Sequence, residues 1–117
     1  MLRLSVMFAA VLALSACAVP QPPPPAAVSE AELAQDGRDI AEAQCAGCHA
    51  VGAYGDSPMA PAPPFRMVLA RYNAEVLEEE LIAGIQVTHP MPEFQFNPQS
   101  ADALIAYLRS IQETPEE

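Results

Sequence analysis

The chain has 117 residues, room for one domain, and carries 15 acidic residues against 5 basic ones, all five of them Arg. That balance argues against a nucleic-acid binder, which needs cationic side chains to neutralise phosphates. Setting aside the Pro-rich N-terminal stretch leaves about 85 residues for a core, a marginal number that asks for a staple such as a disulfide, a metal or a cofactor.

The N-terminus comes first in chain order. Arg3 precedes an unbroken apolar or small run, Leu4 to Ala16. This run is too short to span a bilayer as a helix, which takes about 20 residues, and it reads as the apolar region of an export signal. The stretch Leu14-Ser15-Ala16-Cys17 resembles the lipobox of bacterial lipoproteins. In that class the signal is cut just before the cysteine, which then carries the lipid. An ordinary secretory signal is the plainer alternative. The lipoprotein reading goes further, because three cysteines are an odd count in an exported chain, and removing Cys17 leaves a pair. Residues 1–16 are thus expected to be a lipoprotein signal peptide and 17–28 a lipidated Cys17 with a tether. Pro20 and Pro22 to Pro25 favour extended polyproline II, a semi-rigid spacer reaching roughly 34 Å over Ala18 to Val28. A PxxP ligand for a recognition domain is the competing reading of that run.

Residues 29–113 are the expected folded domain, with 114–117 a frayed acidic tail. No stretch alternates with period two, and helical periodicity recurs instead. Ser29 with Glu32 forms a capping box, and Leu33, Gly37, Ile40 and Gln44 follow on one face of a helix running into Cys45. From Ala46 to Pro63, glycines 47, 52 and 55 with prolines 58, 61 and 63 forbid a long element. Pro64 then suits the first turn of a short helix whose Phe65, Val68, Leu69 and Tyr72 follow an i, i+3, i+4, i+7 pattern. Asn73 caps the next helix, with Val76, Leu77 and Leu81 inward, Gly84 as its stop, and Glu75, Glu78, Glu79 and Glu80 outward. After a Pro-punctuated loop over 85–97, Asn97-Pro98 opens the last helix, where Ala101, Leu104, Ile105, Leu108 and Ile111 form the buried stripe. The expectation is an all-α fold of about four short helices.

Cys45-Ala46-Gly47-Cys48-His49 is C-x-x-C-H, the pattern of covalent c-type haem attachment. The spacing has a physical sense. Two residues between thiols at a helix end let both sulfurs meet one porphyrin edge, and His49 swings its imidazole beneath the ring. Gly47 removes a side chain where the backbone passes close to the macrocycle. A thioredoxin-like C-x-x-C wants a βαβ setting, and this chain has no strand pattern. A zinc site could count Cys45, Cys48, His49 and His89, but structural zinc motifs separate their ligands more widely.

With that motif in view, residues 30–112 resemble the small monohaem cytochrome c family, which implies four short helices packed around one covalently bound haem c. Leu104-Ile105-Ala106-Tyr107-Leu108-Arg109 looks like the family's last helix, with Leu104 and Tyr107 as packing residues. Gly37 matches the small residue where the first and last helices cross. The aromatic usual four residues later is replaced by Ala41, which points to a smaller crossing. The resemblance implies Cys45 and Cys48 as the covalent attachment points and His49 as one axial iron ligand. Met91, in His89-Pro90-Met91-Pro92-Glu93-Phe94, resembles the family's Met-Pro-x-Phe loop and is the implied second ligand. Met59 and Met67 lack that context, and His89 is the rival for the same position. Pro63 is the implied carrier of the carbonyl that accepts from His49, with Pro64 the alternative. Arg66 or Arg71 could pair a haem propionate or stay a solvated surface charge.

These features point to a periplasm-facing, membrane-tethered electron carrier rather than an enzyme. The competing reading is a haem protein with a weak or open distal site, acting as a peroxidase or gas-ligand sensor. A subunit of a larger redox complex is a third reading that differs only in partner. Cleavage before Cys17 would leave four arginines against fifteen acidic side chains, a net charge of −11. A field of that sign favours redox protein partners with a basic docking face, disfavours nucleic acid, and leaves the lipid on Cys17 as the contact with the membrane.

Overall fold

The structure is a computed structural model and describes residues 27–86 and 91–112. Cys17, the prolines of the tether, His89 and the acidic tail lie outside the described residues. Within them the fold is all-α, with three α-helices, one 3-10 turn and no strand.

Helix α1 spans Glu30–Gln44. Its start is the expected capping box. The Ser29 hydroxyl accepts from the Glu32 N–H, and the Glu32 carboxylate accepts from both the Ser29 N–H at 3.0 Å and its hydroxyl. With two orphan donors satisfied at once, the helix has a fixed origin. Its inward stripe is narrower than the pattern implied. Gly37 and Ala41 are buried, Leu33 and Ile40 are half-buried, and Gln44 is exposed.

Helix α2 spans Ala74–Ala83, opened by Asn73, whose side chain accepts from the Glu75 and Val76 N–H groups. It closes at Gly84, where a φ of 101° suits only glycine. Leu77 and Leu81 face inward as expected. Val76 does not: it is 52% exposed, because one helical step turns it about 100° away from Leu77.

Helix α3 spans Pro98–Ser110, with the Asn97 side chain accepting from Ser100 N–H and Pro98 in the first turn. It is the central element, with Ala101, Ala103, Leu104, Ile105, Tyr107 and Leu108 all buried, while Ile111 at its end is half-buried. Helix α1 crosses it at Gly37. A Cβ there would overlap the Ala103 carbonyl and stand 2.8 Å from Tyr107 Cβ. Only glycine permits this approach, and Ala41, fully buried one turn on, fits the same close crossing.

The helix expected over Phe65–Tyr72 is a 3-10 turn, Phe65–Met67, followed by looser turns. An α-helix would require Leu69 N–H to donate to the Phe65 carbonyl. Here the side-chain amide of Gln112 is inserted between them. Its Oε1 accepts from Leu69 N–H at 3.0 Å and its Nε2 donates to the Phe65 carbonyl at 2.9 Å. Phe65 and Val68 are buried and Leu69 is half-buried, but Tyr72, expected on the inward stripe, is 50% exposed.

Candidate functional site

Cys45 ends α1, its N–H bonded to the Ala41 carbonyl at 2.9 Å. The chain then turns once more, with Cys48 and His49 N–H groups both donating to the Cys45 carbonyl at 3.1 and 2.9 Å. This tight turn brings both thiols and the imidazole to one side. Both thiols are free. Burial pushes the Cys45 thiol up to about 11, with Cys48 beside it adding to the shift. It therefore stays protonated at neutral pH.

His49 is fixed from two directions. Its Nδ1 lies 2.8 Å from the Pro63 carbonyl oxygen. A carbonyl can only accept, so Nδ1 carries the hydrogen and Nε2 keeps its lone pair. The Phe65 ring packs against the imidazole with centroids 5.2 Å apart. The loop between these residues is anchored to the same turn. Met59 N–H donates to the Cys48 carbonyl at 3.1 Å, Phe65 N–H to the Ala50 carbonyl at 2.9 Å, and Ala50 N–H to Ser57 Oγ at 3.0 Å.

Cys45, Cys48 and His49 line one wall of a largely apolar cleft of about 200 Å³. The floor is made by Val68 and by Leu104 and Leu108 of α3, with Leu77 and Leu81 from α2. The segment carrying Met91, Pro92, Phe94 and Phe96 also lines the cleft. That segment is tied down by Phe96, which is buried, donates its N–H to the Leu81 carbonyl at 3.0 Å, and stacks on Phe94 at 5.9 Å. Cys45 and Met91, 46 positions apart in the chain, line one cavity together with His49 and Pro63.

The donor set suits a flat, apolar, iron-bearing group held by sulfur. Two thiols, an imidazole whose Nδ1 is already bonded, and a soft thioether, Met91, line the same cleft. Gly47 also lines the cleft, and no protein atom lies within 4 Å of a Cβ built on it. Among the described residues, no three His, Cys, Asp or Glu side chains are grouped to hold a bare ion.

Among the exposed residues that line the cleft are Met59, Glu80 and Tyr72. Met59, 41% exposed, lines the cleft from the side of His49. Glu80, read as part of an outer acidic face, is exposed at the cleft mouth, and Tyr72 joins it there. Met59 and Tyr72 reach the cleft from turns, whereas Glu80 reaches it from α2, beside Leu77 and Leu81 on that helix. Of the two arginines considered for a propionate, Arg66 donates to the Gly55 carbonyl at 2.7 Å, and Arg71 is exposed.

Set beside known proteins, residues 34–112 match the family model described as cytochrome c. The match takes in most of α1, every residue that lines the cleft, and α3 through Gln112. No curated protein and no solved structure matches the chain.

Proposed function

The chain belongs to the cytochrome c family, and on that footing we propose a periplasm-facing, membrane-tethered monohaem carrier that passes single electrons between protein partners. The family binds covalently attached haem c, and the chain is a haem-based electron carrier. In this reading Cys45 and Cys48 would hold the group through their sulfurs, and His49 Nε2 and the Met91 sulfur would bind its iron. Bound haem supplies a one-electron couple at its iron.

The rest is the work of the chain. The Pro63 carbonyl, accepting from Nδ1, fixes the His49 tautomer and makes its imidazole a stronger donor. The Met91 thioether is neutral and soft, so it stabilises the reduced state and raises the potential. The apolar floor keeps water from the ring and lowers the local dielectric. The observation that carries this reading is one apolar cleft lined by Cys45, Cys48, His49 and Met91 together.

Carbon monoxide tests the carrier reading against an open-site sensor or peroxidase. With Met91 on the iron, the ferrous protein is expected to resist carbon monoxide over minutes. Immediate binding by the wild-type protein favours the open site instead. The tether is supported by the lipobox-like stretch ending in Cys17 and by the start of α1 at Glu30, just past the proline run. No helix among the described residues is long and apolar enough to cross a membrane. Cys17→Ser is expected to move the protein from the membrane to the soluble fraction or to stall its processing, since two acyl chains suffice for stable attachment.

A further inference from the structure

Gln112 stands just past the end of α3, half-buried, where a glutamine is ordinarily solvated. Its amide instead makes three hydrogen bonds to backbone groups. It accepts from Leu69 N–H at 3.0 Å and donates to the Phe65 and Leu108 carbonyls at 2.9 and 2.8 Å. The first two partners stand 43 and 47 residues away in the chain. They flank the turn whose start carries the Pro63 carbonyl bonded to His49 and the Phe65 ring packed on it.

We propose that Gln112 is a positioning residue for the axial histidine, its amide replacing the helical 69→65 bond and so holding the Pro63–Phe65 segment against the His49 ring. The inference rests on His49 being the iron ligand. Without the amide, Leu69 N–H loses its partner, and the segment, still tied by Phe65 N–H to the Ala50 carbonyl at 2.9 Å, is freer to wind toward the regular helix its sequence pattern favours. That rewinding draws Pro63 and Phe65 away from the imidazole. A second bond from α3, Tyr107 Oη to the Val51 carbonyl at 2.8 Å, holds the other flank of His49 and is left intact. The weaker Nδ1–H···O bond makes the imidazole a poorer donor, which disfavours the oxidised state more than the reduced one.

The test compares holoprotein with Gln112→Met, of similar length without the amide, and Gln112→Asn, which keeps the amide on a shorter stem. Gln112→Met is expected to raise the reduction potential, shift the His49 ring-proton resonances of the oxidised protein, and speed Nδ1–H exchange about tenfold. Gln112→Asn should recover part of each change. A loss of thermal stability in Gln112→Met, with potential, resonances and exchange all unmoved, makes Gln112 a purely structural clamp and overturns the proposal. A wild-type protein showing no iron-bound His49 resonances overturns the ligand reading and this inference together, which separates the two failures. Should Gln112→Met not load with haem, Gln112→Ala, which also removes the acceptor for Leu69 and both donated bonds, is judged by the same criteria.

Discussion

His49 carries two ring nitrogens, and the bond from Nδ1 to Pro63 at 2.8 Å leaves Nε2 as its one free lone pair. The same cleft offers Met91, while Met59 lines it next to the attachment turn, its own N–H tied to the Cys48 carbonyl. That placement predicts unequal effects. Met91→Ala should abolish the weak far-red sulfur-to-iron band of the ferric protein, lower the potential and admit cyanide; Met59→Ala should leave the band in place. Loss of the band in Met59→Ala alone would reverse the assignment. At the other end of α1, the Ser29 hydroxyl and N–H hold the Glu32 carboxyl below its usual range. A carboxyl depressed on folding stabilises the helix start above its unfolded pKa, and the effect is lost as pH falls through the folded one. Ser29→Ala removes the hydroxyl and leaves the N–H, so it should raise the Glu32 midpoint toward the ordinary range in a carbon-13 NMR titration, and an unmoved midpoint would remove the hydroxyl from the account. C-x-x-C-H, the cap and the Pro63 acceptor were legible because each lies within a few residues of a recognisable motif. Met59 and Gln112 were not, because their roles depend on where turns deliver them. Nor was Glu80, whose place at the edge of the α2 inward stripe, beside Leu77 and Leu81, was read as outward.

The crossing of α1 and α3 is decided by Gly37, a position whose small size the sequence reading anticipated. Helix propensity alone says that alanine there stabilises by about 1 kcal/mol. The overlap of its Cβ with the Ala103 carbonyl and its 2.8 Å approach to Tyr107 says the opposite, at about 3 kcal/mol for overpacking against backbone. The clash wins. Gly37→Ala should lower the denaturant midpoint of the holoprotein without changing its slope much, and an unchanged or raised midpoint would mean the helices can slide apart freely. Helices α1, α2 and α3 were legible because each has a side-chain cap and a one-sided stripe. The segment 65–72 also had a stripe, yet it is a 3-10 turn, because a glutamine 43 residues further on takes its Leu69 N–H. Periodicity reports which side chains face inward, not which acceptor the backbone finds.

Across the whole molecule, charge and cleft meet at one rim. Exposed Met59 and Tyr72 and the carboxylate of Glu80 surround the opening, and the chain as a whole is strongly acidic, with a net charge of −10. Association with a basic redox partner is therefore expected to slow as ionic strength rises and the Debye length falls from about 30 Å at 0.01 M to about 8 Å at 0.15 M. Glu80→Gln should flatten that dependence more than Glu79→Gln, since Glu80 lines the opening and Glu79 does not. A salt-independent rate, read by stopped-flow, would leave the acidic surface a matter of solubility.

The central claim is that one cleft holds a single covalent haem between His49 and Met91 and cycles it by one electron. A potentiometric titration of the purified protein, followed by absorbance, tests this most directly. The account predicts a single reversible one-electron transition, with the far-red sulfur-to-iron band present in the oxidised protein and gone on reduction. A high-spin ferric spectrum without that band, or haem that leaves the denatured chain on extraction, would contradict it.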